Sequence, residues 1–351
     1  MPDVPLDMFS SPRFRSVLRL FLLLGGITLG VVLLVLLLRS VKLDQLGSAF
    51  GNADYPLLLL AVPPFLVNFF LRVPRWGLLF GEDSPDFDTL FGAMNVGYAI
   101  NFLLPARLGE IVRAYWIRDR TQLGMMRTLS TIALERVMDG VTLVVILIVV
   151  APTVAFPGKL LGPALLVGGA FLGALSLMAV FAYASTRERH PLARLLRRLE
   201  TGRASGAARL MHQLVAGLRA LQNRRALVLL ILYTIALWVS NSILLWLVLR
   251  AFHIEAPLTA GFLLTAVLNL GMAVPSTPGY IGVYDFLFVW MLKLYHVAKA
   301  PALAAALGMH AIAFVPFAAV GIVYLGRAGI QMTLQMVRAS AAGTEKELPA
   351  P

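Results

Sequence analysis

Residues 89–117 read TLFGAMNVGYAINFLLPARLGEIVRAYWI, and this stretch decides the fold. It begins as an apolar run, but Pro105, Arg107 and Gly109 interrupt it before it is long enough to cross a bilayer. Proline removes a backbone donor and clashes with the preceding helical turn. Broken backbone inside a bilayer is tolerated only where protein or a water-filled cavity satisfies its polar groups. The stretch therefore predicts a re-entrant, broken-helix hairpin beside a polar cavity.

The composition places this stretch in a membrane protein. Of the 351 residues, 59% are hydrophobic and only 14% are charged, whereas soluble domains carry about 25% charged residues. Cysteine is absent, which excludes a disulfide scaffold. We therefore expect an all-α polytopic membrane protein that forms one integral membrane domain over residues 1–351.

Six segments are apolar for long enough to span a bilayer. They are approximately Leu20–Leu38, Pro56–Leu71, Thr128–Val150, Leu161–Ala184, Ala226–Leu249 and Ala302–Leu325. Arg72 and Arg75 then mark the cytoplasmic end of the second span. The prediction is about six full transmembrane helices plus two re-entrant hairpins.

The second predicted hairpin covers residues 258–294. Its centre reads NLGMAVPSTPGYIGVYD from Asn269 to Asp285. Like the first, it has an asparagine before a proline, a glycine four residues after that proline, and a carboxylate before helix resumes. Paired broken segments of opposite direction are typical of a transporter site near the midplane of the membrane, and the alternative is a pair of interfacial loops. The expected backbone breaks are Pro105, Gly109, Pro275, Pro278, Gly279 and Gly282.

The net charge of +12 comes mainly from one loop, residues 186–225, which carries ten arginines and two glutamates. Such a loop is expected on the cytoplasmic side. Arginines before the first span also make the tail 1–12 cytoplasmic, and parity then makes the C-terminus cytoplasmic, with a disordered tail at 339–351. The loop either forms basic amphipathic helices on anionic lipid or only fixes orientation. No recognition motif for nucleic acid accompanies the charge.

Six charged residues occur where the membrane makes charge expensive: Arg107, Glu110, Arg113, Glu135, Arg136 and Asp139. Exposed to lipid, they would together cost roughly 15–20 kcal/mol, so they must face inward, form pairs or reach an interface. The expected arrangement sets Arg107 and Arg113 against Glu135 and Asp139. These residues are either structural ion pairs or functional groups that bind a lipid phosphate and carry a proton.

The functional interpretation assigns two groups of residues. The substrate-binding group is Arg107, Arg113, Arg136, Asn101 and Asn269, and the group for proton coupling or gating is Glu110, Glu135, Asp139 and Asp285. His310 is interpreted as a hydrogen-bonded core residue, and Tyr98 as an interface anchor or packing residue. We expect no metal, no cofactor and no enzymatic activity, since no cluster has metal-ligand spacing and no nucleophile motif occurs.

Three blocks of the sequence resemble the lysylphosphatidylglycerol synthase transmembrane-region family, also called flippase-like. They are NFLLPARLGEIVR from Asn101 to Arg113, ERVMD from Glu135 to Asp139, and PSTPGYIG from Pro275 to Gly282 followed by Asp285. The chain departs from the common pattern at Thr277, where glycine is frequent, and at Asp285, where glutamate is frequent. The second change keeps the charge and shortens its reach.

The resemblance implies a protein of the bacterial inner membrane that moves a lipid between leaflets through a central polar cavity. The lipid would bear a phosphate, as phospholipids and polyprenyl phosphates do, or be of hopanoid type. Two-part members of the family carry an aminoacyltransferase domain, and this chain is expected to be a stand-alone member without it. The rival functions are an accessory subunit that docks a lipid-modifying enzyme or glycosyltransferase, and a membrane-embedded transferase. The expected partners are membrane lipids with anionic headgroups, with a homo-oligomer or a lipid-biosynthesis enzyme as further candidates.

Overall fold

A computed structural model describes residues 31–103, 108–154, 158–186, 223–272 and 277–327, together with Thr28. Every regular element within these residues is helical, which confirms the all-α fold class. Outside them lie the predicted tails 1–12 and 339–351, most of the predicted loop 186–225, and three residues of the predicted breaks and site, Pro105, Arg107 and Pro275.

The α-helices follow one another in a simple order after a helical segment at residues 31–39. They are α1 (Leu43–Gly51), α2 (Tyr55–Leu60), α3 (Val62–Leu78), α4 (Phe87–Leu103), α5 (Gly109–Arg120), α6 (Met125–Val150), α7 (Gly158–Thr186), α8 (Arg224–Ala251), α9 (Leu258–Gly271), α10 (Val283–Leu292) and α11 (Lys299–Met309). A π-helical turn, His310–Phe314, follows α11, and helix then continues to Arg327. Short 3-10 turns occupy Gly81–Asp83, Ala151–Thr153, Pro278–Tyr280 and Lys293–Tyr295.

Polar side chains mark the starts of three helices. Asp54 accepts a hydrogen bond at 3.0 Å from the backbone N–H of Leu57 in α2, and Asn223 accepts two from the first turn of α8. Asp86 precedes α4 and accepts a 2.7 Å hydrogen bond from the backbone N–H of Thr89. Hydrogen bonds from the Thr89 hydroxyl and N–H lower the pKa of Asp86 below its usual value. These caps satisfy donors that a helix start leaves free.

Three helices of the described residues are long and apolar enough to cross a membrane: Tyr55–Leu78, Arg224–Ala251 and Lys299–Arg327. The first of them joins α2 and α3. Helix α6 has 26 residues, but its apolar sequence is interrupted by Glu135, Arg136 and Asp139. The chain is thus a helical membrane protein whose described residues include three clear apolar spans, and six full spans stay a prediction.

Three helices within the two interrupted segments, residues 89–117 and 258–294, are short. Helix α5 has 12 residues, α9 has 14 and α10 has 10. At 1.5 Å per residue they measure about 18, 21 and 15 Å, against roughly 30 Å for the hydrocarbon core of a bilayer. None of the three is long enough to cross a membrane alone.

Helices α4 and α5 form an antiparallel hairpin around the first break. Close to the break, a Cβ built on Gly109 would lie 1.9 Å from the carbonyl oxygen of Gly97. Farther from it, a Cβ on Gly97 would meet the Arg113 side chain. A Cβ on Gly92 would meet the rings of Trp116 and Tyr324. Residues later in α5 thus contact residues earlier in α4, as in any antiparallel helix pair. The backbones touch only because residues 97 and 109 have no side chain.

Two buried apolar clusters organise the bundle. The first lies mainly among α3, α4, α5 and α6 and includes Trp76, Met94, Ile117 and Leu134. The second lies mainly among α8, α9, α10 and α11, with Phe288 in its interior. Helix α3 also contacts α8 directly, because the side-chain amide of Asn68 donates a hydrogen bond to the carbonyl of Leu237 in α8 at 2.8 Å. Each interrupted segment therefore packs mainly within its own cluster.

Replacing Gly109 by alanine is expected to lower the stability of the protein by at least about 1–3 kcal/mol, the usual cost of overpacking. The added methyl group would overlap the backbone of Gly97, so α4 and α5 would have to separate. The measurement is thermal unfolding of the purified protein in detergent. The matched control is Gly47→Ala in α1, where a Cβ meets no atom within 4 Å. Equal melting temperatures for the two variants would contradict the close hairpin.

Candidate functional site

An asparagine side chain bridges the first break. Asn101, near the end of α4, accepts a hydrogen bond through Oδ1 from the backbone N–H of Gly109 at 2.8 Å. Gly109 is the first residue of α5, where backbone donors have no partner within the helix. Asn101 therefore takes part in closing the hairpin, in addition to its predicted role as a substrate ligand.

The second break requires glycine at two positions. Gly279 has φ +65° and Gly282 has φ +93°, a region that residues with a Cβ rarely adopt. Pro278 and Gly279 form a 3-10 turn, and the Thr277 hydroxyl donates to the carbonyl of Ile281 across it. These predicted break residues all lie between α9 and α10.

Asp285 anchors the second break to the helix that follows α10. Its side chain is fully buried, and Oδ2 accepts a 2.9 Å hydrogen bond from the backbone N–H of Gly282. Its Oδ1 lies 3.0 Å from Nε2 of His310, the first residue of the π-helical turn. His310 is thus a partner of a predicted site residue, a role that its isolated position in the sequence does not indicate.

A network of charges lies between α3, α5 and α6. Arg75 binds Glu135 at 3.1 Å and Asp139 at 2.6 Å. Arg113 binds the other oxygen of Glu135 at 3.0 Å. Arg136 binds Glu135 at 2.8 Å and lies 3.8 Å from Asp139. The predicted juxtaposition of Arg113 with Glu135 is therefore present, and the sharing of one helix face by Glu135 and Asp139 is what allows Arg75 to bind both.

Glu110 lies at the edge of this network. Its closest cation among the described residues is Arg136, at 3.9 Å, and both side chains are about one-third exposed, at 30% and 32%. Glu135 is only 1% exposed and contacts three arginines. Of the predicted acids in this region, Glu110 is thus the one with the weakest pairing and the greatest access.

Arg75 is the member of the network that the sequence reasoning missed. Its position after an apolar run favours a charge at the membrane interface that sets the orientation. Its side chain is instead only 2% exposed and forms ion pairs with two carboxylates inside the bundle. The available signal was the apolar run Trp76–Phe80, which continues directly after it.

The two breaks meet in space. A Cβ built on Gly279 in the second break would lie 3.0 Å from the ring of Phe102, which is near the end of α4. Beside this contact lies a cavity of about 360 Å³ that residues of both interrupted segments line. Leu268, Asn269 and Tyr280 come from the second segment. The two interrupted segments, far apart in the sequence, thus contribute to one site.

The predicted site residues divide into three groups by their relation to this cavity. Six line it: Asn101, Glu110, Arg113, Arg136, Asp139 and Asn269. Glu135 and Asp285 are buried outside the lining. Arg107 lies outside the described residues. Asn269 also donates through Nδ2 to the carbonyl of Thr265 at 2.8 Å, which holds it on its own helix.

Further polar residues of the cavity wall were not predicted as ligands. Arg72 and Asn68 of α3 line the cavity, as do Tyr98 of α4 and Trp238 of α8. Arg72 donates to Asn68 at 3.0 Å and to the hydroxyl of Tyr98 at 3.2 Å. Tyr98 therefore contributes to a polar cavity wall, although its sequence context favoured packing or interfacial anchoring. Within the described part of the chain, no group of three or more acidic or histidine side chains could hold a metal ion.

Comparison with known families identifies one match that covers most of the chain. A family model described as "Lysylphosphatidylglycerol synthase TM region" matches residues 23–321. The matched range includes both interrupted segments and every residue of the charge network. The family suggested by the three sequence blocks is thereby confirmed.

Two curated relatives are similar at low identity. Glycosyltransferase AglD from Haloferax volcanii is 27% identical over 328 residues, which are 83% of this chain and 52% of that protein. The UPF0104 membrane protein MJ1078 from Methanocaldococcus jannaschii is 22% identical over 200 residues, 56% of this chain and 80% of that protein. The chain thus spans about half the length of the first relative.

Replacing Glu135 by glutamine is expected to destabilise the protein by about 3–5 kcal/mol, because it removes the anion shared by three buried or half-buried arginines. The measurement is the melting temperature of the purified variant. The matched control is Asp119→Asn, which breaks an exposed pair with Arg120 at 3.2 Å and should cost less than about 1 kcal/mol. If the Glu135 variant and the control have the same melting temperature, the network does not stabilise the bundle.

Proposed function

Because the chain belongs to the lysylphosphatidylglycerol synthase transmembrane-region family, we propose that it is a lipid transporter. In this proposal it moves a phosphate-bearing or hopanoid-type lipid between leaflets and has no enzymatic activity. The supporting observation is the cavity of about 360 Å³ between the two interrupted segments. An accessory subunit has no need of such a cavity, whereas a transporter must shelter a polar headgroup.

The proposed topology has six full spans and two re-entrant hairpins of opposite direction, related as an inverted repeat. The antiparallel pairing of α4 and α5 supports it for the first hairpin, because α5 has only 12 residues, too few to cross a bilayer, and runs back along α4. Both termini and the arginine-rich loop would then be cytoplasmic, in the inner membrane of a bacterium.

In the proposed mechanism, the headgroup occupies the cavity while the acyl or prenyl tails stay in the bilayer. Arg107, Arg113 and Arg136 would hold the phosphate, with Asn101 and Asn269 as neutral ligands. Arg136 is the better placed of the two described arginines, because its side chain is 32% exposed and that of Arg113 only 3%.

Among the acids proposed for proton coupling or gating, Glu110 has the most suitable environment. It is partly exposed, and it contacts one arginine at long range. Glu135 and Asp139 each contact at least two arginines, so their first role in this proposal is to neutralise those arginines. Asp285, paired with His310, would couple the second break to the last long helix.

A second candidate function has one observation in its favour. The relative named as a glycosyltransferase matches this chain over 52% of its own length. A membrane region of this kind can therefore occur within a protein that carries that name. On this alternative the chain would be an accessory subunit that docks a glycosyltransferase or another lipid-modifying enzyme, with or without forming a homo-oligomer.

Lipid movement is tested with the purified protein in liposomes that contain fluorescent phospholipids. We expect the double variant Arg107→Ala, Glu110→Ala to slow movement at least about tenfold, since it removes one proposed phosphate ligand and the least paired acid of the cavity. The matched control is Arg118→Ala, Asp119→Ala, which removes the same two charge types from exposed positions of α5.

Undiminished movement by the first double variant would contradict the site assignment. Movement by the wild-type protein no faster than in empty liposomes, together with co-purification of a glycosyltransferase, would favour the accessory role instead.

A further inference from the structure

We propose that Arg72 is the principal anion ligand among the described arginines of the cavity, and that it binds a singly charged phosphodiester or a group of equal charge. This inference rests on the proposed function for the lipid nature of the ligand, while the anion site itself follows from the contacts of Arg72. The guanidinium of Arg72 lies in the cavity wall between α3, α4 and α8.

The arginines of the charge network are already compensated. Three arginines, Arg75, Arg113 and Arg136, face three carboxylates, Glu110, Glu135 and Asp139, at distances from 2.6 to 3.9 Å. Their formal charges therefore sum to zero. A neutral, internally paired group attracts a further anion less strongly than an uncompensated arginine does, so Arg113 and Arg136 would be secondary ligands of the phosphate.

Arg72 differs from these arginines in the chemistry of its partners. Its Nε donates to the amide oxygen of Asn68 at 3.0 Å, and its Nη1 donates to the hydroxyl of Tyr98 at 3.2 Å. Both partners are neutral. Among the described residues no carboxylate forms an ion pair with Arg72, so of the described arginines that line the cavity, it is the one without a counter-charge.

The side chain of Arg72 is also held in place. Asn68 is itself fixed, because its Nδ2 donates to the carbonyl of Leu237 in α8 at 2.8 Å. The guanidinium lies 5.8 Å from the centre of the Tyr98 ring and 5.9 Å from that of Trp238. A fixed guanidinium loses little side-chain entropy when it binds a ligand.

The remaining donors of Arg72 suit an oxyanion. A guanidinium has five N–H donors, and the described residues take one from Nε and one from Nη1. The second N–H of Nη1 and both N–H groups of Nη2 are left for a ligand. A guanidinium fork binds two oxygens of a phosphate or carboxylate in a bidentate manner. One unbalanced positive charge matches one negative charge, which is the charge of a phosphodiester headgroup.

The hydrogen bond between Arg72 and Tyr98 connects the proposed anion site to the first hairpin. Tyr98 belongs to α4, one arm of the hairpin, whereas Arg72 belongs to α3. An anion bound by the remaining N–H groups of Arg72 would therefore lie beside the hairpin, while the hydrogen bond to Tyr98 still holds the guanidinium in place.

The test is a native mass spectrometry titration of the full-length, delipidated protein with phosphatidylglycerol, and with diacylglycerol of the same acyl chains. We expect the wild type to prefer phosphatidylglycerol. Arg72→Gln should weaken phosphatidylglycerol binding at least about tenfold, because it removes a charge-assisted bidentate contact. The matched control Arg118→Gln removes an exposed arginine outside the cavity and should leave the affinity unchanged.

Inorganic phosphate is added as a competitor in a second arm. Displacement of the lipid by phosphate would show that the site takes a small free anion as well, and resistance to it would assign the site to a lipid headgroup. Equal affinity of the wild type and Arg72→Gln for phosphatidylglycerol would overturn the proposal.

Two further variants keep the test decisive if Arg72→Gln does not fold. Arg72→Lys retains the charge and loses the fork, and Tyr98→Phe removes only the supporting hydroxyl. We expect both to weaken phosphatidylglycerol binding, and wild-type affinity in both would overturn the proposal. If phosphatidylglycerol binding depends on Arg72 but the protein moves no lipid in liposomes, the transporter function is contradicted. The anion site at Arg72 is still supported in that case.

Discussion

The two ion pairs of Arg75, with Glu135 at 3.1 Å and with Asp139 at 2.6 Å, hold the charged centre of the bundle together. A buried charge without a partner is expensive, and removing one member of a buried network leaves the others uncompensated. Arg75 brings α3 to α6, and Arg113 brings α5 to the same glutamate at 3.0 Å. The guanidinium of Arg113 also lies 4.1 Å from the ring centre of Trp76, next to Arg75 in the chain. The hairpin is therefore attached to the bundle by charge as well as by apolar packing.

This constraint explains why the interrupted segments can exist in an apolar protein. The first hairpin is closed by backbone contact between Gly97 and Gly109 and by the hydrogen bond from Gly109 to Asn101. The second break has its own buried acid, Asp285, which holds Gly282 on one side and His310 on the other. In the described part of each break, a backbone N–H thus has a side-chain acceptor, Asn101 for Gly109 and Asp285 for Gly282.

Much of this arrangement could be predicted from local sequence. Proline and glycine spacing located both interrupted segments, and the four-residue separation of Glu135 and Asp139 placed them on one helix face. The partners of those acids were harder to predict, since Arg75 is separated from them by 60 and 64 residues. Which arginine reaches a given carboxylate depends on how α3 packs against α6, and no periodicity within one helix encodes that. The pairs Asp285–His310 and Arg72–Tyr98 escaped prediction for the same reason, because each joins two different helices.

The central claim is that the two interrupted segments meet at one cavity, and the absence of cysteine from the chain makes it directly testable. Phe102 and Tyr280, which line the cavity from the first and the second interrupted segment, are both replaced by cysteine, and the protein is treated in its native membrane with a short bifunctional thiol reagent. The measurement is the yield of intramolecular cross-link by mass spectrometry of the digested protein, with the two single-cysteine variants as controls. We expect efficient cross-linking between positions 102 and 280 in the double variant. Both cysteines reacting with the reagent separately, without a cross-link between them, would contradict it.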